Sequence, residues 1–267
     1  MTTYFKRLRA VVLEKGPLCV AVDPHPSLLK AWGLPVSASG AEKCARHLVN
    51  VLSEQVAAFK PQSAFFEMYG SAGIAALERV LADINQTDAI SILDVKRGDI
   101  GSTMEAYAAA YLAKDAPLAA DAITISPYLG FGSLLPAIEA AYQNDRGVYV
   151  LARTSNPEGA DVQLALNQDG SVVQNIIDAA TEMNRDSANR AIGLVVGGTH
   201  RSLGCDLSDF NGSILVPGIG FQGGKMEDLP AIFGDAVEHV LAVVGRGLLS
   251  VGPDAQALRT KVSKLIG

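Results

Sequence analysis

Eight short runs of β-forming residues recur along the chain, and helical patterns separate them. The runs cover 18–22, 56–60, 90–95, 122–125, 148–152, 192–196, 213–216 and 240–244. Most are continuously apolar rather than alternating, which is the pattern of parallel strands covered on their outer side. The clearer helical segments span 41–58, 103–114, 133–142, 172–189 and 226–233, and the N-terminal stretch with its basic residues reads as an amphipathic first helix. Strand and helix in alternation require a parallel sheet. Eight such units within 267 residues favour an α/β fold with a single (β/α)8 TIM barrel over an open sheet. No linker, repeat or low-complexity stretch divides the sequence, so residues 1–267 are expected to form a single domain.

A barrel of this kind collects its chemistry at the carboxyl ends of the strands. The polar residues at those positions form a coherent set. Asp23 follows the first run, Lys60 ends the second, and Asp94, Lys96 and Asp99 close the third. Thr154-Ser155-Asn156 follows the fifth, Pro217-Gly-Ile-Gly-Phe-Gln222-Gly-Gly224 the seventh, and Gly245-Arg246-Gly247 the eighth. Loops after the seventh and eighth strands commonly hold a phosphate in this fold. Here they are glycine-rich and carry an amide donor and an arginine, which suits backbone N–H approach and bidentate binding of an anion.

The third run is the most charged. In Ser91-Ile-Leu-Asp94-Val-Lys96-Arg-Gly-Asp99-Ile100-Gly-Ser-Thr103 a buried strand delivers an aspartate and a lysine two residues apart, so both project from one side of the strand. Asp99 lies just past the strand end. Opposed charges concentrated there are costly unless they pair or do chemistry. Two readings stand side by side: a catalytic cluster, or a structural Asp94–Lys96 ion pair with Asp99 serving the next helix. Ser102-Thr-Met-Glu105 has the form of a capping box, which predicts a helix start at Ser102.

Composition narrows the function classes. With 49% hydrophobic and 19% charged residues, the chain describes a globular protein with a large core. No apolar run reaches the roughly 18 residues of a membrane span. The net charge of −6 and the lack of a basic run argue against a nucleic-acid partner, while local cations still allow a small anionic substrate. Cys19, Cys44 and Cys205 are odd in number and widely spaced, which suggests free thiols in a reducing cytoplasm. His25, His47, His200 and His239 show no ligand spacing, and no metal is expected. Gly218-Ile-Gly220-Phe-Gln-Gly223 formally matches a dinucleotide fingerprint but lies near the C-terminus, without the early βαβ unit that such a site needs. Arg97 and Arg153 are open between phosphate ligand and structural pair.

The motifs Val22-Asp23-Pro24-His25, Phe59-Lys60-Pro61, Asp94-Val-Lys96-Arg-Gly-Asp99-Ile100, Thr154-Ser155-Asn156-Pro157, Pro217-Gly-Ile-Gly-Phe-Gln222-Gly-Gly224 and Val244-Gly245-Arg246 together resemble the orotidine 5′-monophosphate decarboxylases. The match runs through essentially the whole chain, and Lys-Arg-Gly-Asp-Ile-Gly-Ser-Thr looks like the bacterial type 2 branch. The resemblance implies decarboxylation of orotidine 5′-monophosphate to uridine 5′-monophosphate, the last step of de novo pyrimidine nucleotide synthesis, without a cofactor. By position it implies that Lys96 protonates C6 of the pyrimidine and that Asp94 faces the substrate carboxylate. Asp23 and Lys60 would contact the ribose hydroxyls, and Ser155 would read the pyrimidine amide edge. Pro217 and Gln222 would close over the substrate, with Gln222, Gly245 and Arg246 on the phosphate. Asp99, Ile100 and Thr103 would enter the site from the partner subunit of a homodimer. One departure is Glu158 directly after Pro157, where the family has glycine.

Two rivals remain. A Mg2+-dependent phosphosugar decarboxylase or synthase of the same superfamily would carry a metal-binding glutamate near the position of Lys60, which a lysine cannot replace as a ligand. A non-catalytic barrel that binds nucleotide phosphates would have no need of an acid such as Lys96.

Overall fold

The computed structural model describes residues 2–185, 187 and 189–266. Eight strands close into a parallel barrel: β1 (Leu18–Val22), β2 (Ala58–Pro61), β3 (Ile90–Arg97), β4 (Ala122–Ile125), β5 (Gly147–Arg153), β6 (Ile192–Val196), β7 (Ile214–Ile219) and β8 (Val240–Val244). Each pairs with the next in sequence, and β8 returns to β1 through Val20↔Val244. The continuous apolar runs follow from this closure. Leu18, Val20 and Val22 pack outward against the helices, while Cys19 and Ala21 turn into the barrel core. β1, β2, β4, β6 and β8 are therefore buried on both sides along their whole length, while the carboxyl ends of β3 and β7 are partly exposed.

The barrel interior is filled in layers. Ile90 and Ile92 of β3, Tyr149 of β5 and Leu241 of β8 belong to its packed core. Gly193 makes room for the Tyr149 ring, since a Cβ there would lie 2.5 Å from it. Tyr149 donates a hydrogen bond to Ser213 at 3.1 Å and accepts one from Tyr4 at 3.0 Å. Tyr4 belongs to the first helix, Tyr4–Lys15, which covers the amino-terminal end of the barrel with Tyr4, Leu8 and Val11. With that end plugged, the inward residues at the carboxyl ends of the strands are the ones left to border a cavity.

Several predicted boundaries move. The helix expected at 41–58 is Ala38–Leu52, because the chain turns at 53–55 before β2. The one expected at 226–233 divides into a 3-10 turn, Met226–Asp228, and a short helix, Leu229–Phe233. Helix 172–189 is seen as Val172–Arg185, and residues 186 and 188 of that expectation lie outside the described residues. Two long helices, Gly70–Asn85 and Ala255–Ile266, were not among the predicted segments, nor was the small ribbon of Leu166–Asn167 with Gly170–Ser171 after β5.

The capping-box expectation is corrected. The helix after β3 starts at Gly101 with Ile100 at its N-cap position and no side-chain cap, so Ser102 is already inside the first turn. Asp99 Oδ1 accepts from the Ile100 N–H at 2.8 Å instead. Among the described residues no helix is long and apolar enough to cross a membrane.

Candidate active site

The cavity at the carboxyl end of the barrel has a volume of about 310 Å3. Ala21, Leu151, Val195, Leu215 and Val243 form its apolar part, and the charged groups stand above them. At the centre is Asp94, 6% exposed. Its Oδ2 accepts from Lys60 Nζ at 2.9 Å and from Gln62 Nε2 at 3.0 Å. Its Oδ1 accepts from Lys96 Nζ at 2.5 Å and from Thr124 Oγ1 at 2.8 Å.

Burial alone would raise the Asp94 carboxyl, but Lys60 and Lys96 outweigh it and hold the group well below the usual carboxylate range. Burial likewise works against charge on Lys60, yet Asp94 and Asp23 prevail and keep that ammonium above the ordinary lysine range. The two charges are therefore locked on at any moderate pH.

Lys96 adopts φ 45°, one of three non-glycine residues with positive φ among the described residues. Such a backbone costs on the order of 1–3 kcal/mol and persists only where surrounding structure enforces it. Simple alternation along the strand predicted that Asp94 and Lys96 share a side. They do converge, but through this left-handed residue and a bulge, because the β3–β4 register shifts between Leu93 and Arg97.

The opposite wall is the expected anion cup. After β7 the chain turns through Gly220 and Gly223, whose φ values of +84° and +95° suit glycine. Gln222 in that turn accepts a hydrogen bond from Ser155 Oγ at 3.1 Å, so the loops after β5 and β7 meet across the mouth. The Arg246 guanidinium lies 4.7 Å from the centroid of the Phe221 ring and forms no ion pair among the described residues. Asp23 also borders the cavity, and its Oδ1 is buried without a hydrogen-bond partner among the described residues, an acceptor that a ligand hydroxyl would satisfy.

Nine of the twelve predicted site residues border this cavity: Asp23, Lys60, Asp94, Lys96, Ser155, Pro217, Gln222, Gly245 and Arg246. Asp99, Ile100 and Thr103 do not. They stand just past the end of β3 and in the first turn of the helix that follows, with Ile100 63% exposed. Gln62 and Thr124 were missed. Their signal was a polar residue at an inward position, two residues beyond Lys60 in one case and within the apolar run Ala122–Ile125 in the other.

Arg153 is buried and donates to Leu203 O and Gln163 Oε1, Arg97 pairs with Glu67 at 2.7 Å, and neither borders this cavity. His25 caps the short helix Pro26–Ala31 by accepting from the Ser27 N–H at 3.1 Å. The glycine motif 218–223 closes a barrel loop and not the first turn of a doubly wound sheet.

A profile of the orotidine 5′-phosphate decarboxylase / HUMPS family matches residues 16–260. The chain belongs to this family. Family members named orotidine 5′-phosphate decarboxylase from Salinispora tropica and Streptomyces coelicolor are each 47% identical to it, over 100% and 99% of the chain and 96% of their own length. A crystal structure from Streptomyces avermitilis, provisionally given the same enzyme name, superposes with a TM-score of 0.93 at 47% identity, covering 100% of this chain and 94% of that one. The structure of Leishmania donovani OMP decarboxylase matches with a TM-score of 0.77 at 30% identity, over 98% and 97% of the two chains. Family membership and the single closed barrel agree with the resemblance drawn from the motifs.

Proposed function

We propose that the protein decarboxylates orotidine 5′-monophosphate to uridine 5′-monophosphate, the last step of de novo pyrimidine nucleotide synthesis, and that the whole chain acts as one catalytic domain. The observation that carries this reading is a carboxylate held between two ammonium groups, Lys60 on one oxygen and Lys96 on the other, across a cavity from Arg246, which forms no ion pair among the described residues.

The chemistry follows from that arrangement. As the C6–carboxylate bond breaks, carbon dioxide leaves and the electron pair stays on C6, a vinyl-type carbanion with little resonance relief. A fixed ammonium on Lys96 stabilises this charge and then donates its proton to C6, forming the product; the neutral amine regains a proton from solvent. Asp94 holds the Lys96 ammonium in place through its Oδ1. Its two oxygens already accept four hydrogen bonds, close to the capacity of a carboxylate, so it acts as an anion and not as a base. Arg246, Gln222 and Gly245 hold the phosphate far from C6, and that remote binding energy fixes the pyrimidine ring over Lys96. Ser155 contacts the amide edge, and Pro217 packs over the ligand. Asp23 and Lys60 take the ribose hydroxyls. An ammonium at residue 60, already bonded to Asp94, favours this reaction over that of the Mg2+-dependent phosphosugar enzymes, which need a carboxylate there.

Two copies of the chain pair as a homodimer with shared active sites. Asp99, Ile100 and Thr103 lie outside their own cavity, and the adjoining loop exposes Tyr128 (79%) and Leu129 (52%). Large apolar side chains grouped in water mark an association surface. A cytoplasmic location is supported by three unpaired thiols, of which Cys19 and Cys44 are pushed up to about 12 by burial.

The test is direct. Orotidine 5′-monophosphate mixed with the protein should lose its orotate absorbance, with or without EDTA. Lys96→Ala should nearly abolish turnover yet still bind uridine 5′-monophosphate. A wild-type protein that binds the nucleotide without turnover would instead make it a binding barrel, and loss of activity in EDTA would favour a metal-dependent sister reaction.

A further inference from the structure

β3 and β4 pair at Leu93↔Ile123 and next at Arg97↔Ile125. Between these points Asp94, Val95 and Lys96 stand opposite Thr124 alone. A bulge of this kind interrupts the ladder, and each freed backbone N–H then needs another acceptor. The Lys96 N–H finds it in the side chain of Thr124, at 2.9 Å from Oγ1. The same hydroxyl donates to Asp94 Oδ1 at 2.8 Å. Thr124 is 1% exposed, so water does not compete for either bond.

Three features converge on this one hydroxyl. It accepts from the backbone of the residue with φ 45°, it donates to the carboxylate that holds that residue's ammonium, and it is the only β4 residue opposite the bulge. A hydroxyl has one proton to give and lone pairs to accept with, and here both capacities are used. An apolar residue such as valine, the usual choice in a barrel strand, would fill the space but leave the N–H without an acceptor and Asp94 Oδ1 short of a donor.

We propose that Thr124 is a positioning residue for the decarboxylation: its hydroxyl clamps the Lys96 backbone in the left-handed conformation and fixes the Asp94 carboxylate, so that ammonium and carboxylate keep one mutual geometry through the reaction. This inference rests on the decarboxylase reading above. Thr124 acts through Lys96 and Asp94 and needs no contact with the nucleotide.

The experiment compares wild type, Thr124→Val, Thr124→Ala and Thr124→Ser for kcat and KM on orotidine 5′-monophosphate and for uridine 5′-monophosphate affinity by calorimetry. Thr124→Val and Thr124→Ala should lose about 10- to 100-fold in kcat, with KM and product affinity within about threefold of wild type. Thr124→Ser, which keeps the hydroxyl, should recover most of kcat. If valine prevents folding, the smaller alanine carries the comparison. Wild-type kcat in the alanine or valine variant would overturn the inference and leave the decarboxylase reading standing. So would a serine variant as impaired as valine, or kcat and product affinity falling together, the mark of a collapsed site. A wild-type enzyme without turnover would overturn the reading and the inference with it.

Discussion

Asp94 is where the site's electrostatics are decided. With Lys60 and Asp94 each 6% exposed, their pair is desolvated, and removing one partner leaves the other charge buried without compensation. Asp94→Asn should therefore destabilise the fold by about 3–5 kcal/mol near neutral pH. Because Asp94 is held below its ordinary range, its contribution is complete above about pH 4 and fades as pH falls through the depressed native value. Lys60, held above its ordinary range, contributes fully below about pH 10 and loses its contribution only as pH rises through the raised native value. Urea unfolding of wild type and Asp94→Asn across acid pH checks this: the stability gap should be flat near neutrality and narrow on acidification. A gap that opens only near pH 7 would point to another titrating group. Of these residues the sequence displayed Lys60, Asp94 and Lys96 as charges at strand ends. The bond from Gln62 and the clamp from Thr124 were hidden, because which donor meets which oxygen depends on a bulge that no local pattern announces.

At the level of elements, the strands were the easiest to read, since closure of the barrel buries both sides and makes each run continuously apolar. Helix ends were harder. The segment after β3 has a good local capping pattern at Ser102, yet Gly98 packs against the Ser126 backbone, where a Cβ would lie 2.4 Å from its carbonyl oxygen, and the helix begins early at Gly101 with φ +51°. Tertiary packing overrode local chemistry. The first helix depends on a similar close approach: a Cβ at Gly147 would lie 2.3 Å from the Tyr4 ring. Gly147→Ala should push Tyr4 off the barrel end and cost about 1–3 kcal/mol through overpacking. Thermal unfolding should show a lower Tm, with kcat at 25 °C close to wild type because the cavity lies at the other end of the barrel. An unchanged Tm would mean that the helix adjusts without strain.

For the whole molecule, the outward placement of Asp99, Ile100 and Thr103 makes shared sites testable. Lys96→Ala and Asp99→Ala chains, each of low activity alone, should regain about a quarter of wild-type activity when co-expressed, because in the proposed homodimer half of the randomly mixed pairs are heterodimers and each of these contains one site with both residues intact. No recovery would assign Asp99 to its own subunit or to no site. The barrel class, the order of the strands and the nine residues that border the cavity were legible in the linear chain, from runs that stay apolar because strands are buried on both sides, from polar groups at strand carboxyl ends and from the motifs that carry the family resemblance. Closure of the barrel was needed to show that Lys96 is left-handed, that Asp94 accepts from four donors, that Thr124 joins the two, and that Asp99, Ile100 and Thr103 do not border their own cavity. Those outcomes depend on the register between neighbouring strands and on close backbone contacts, which exist only once the barrel has closed.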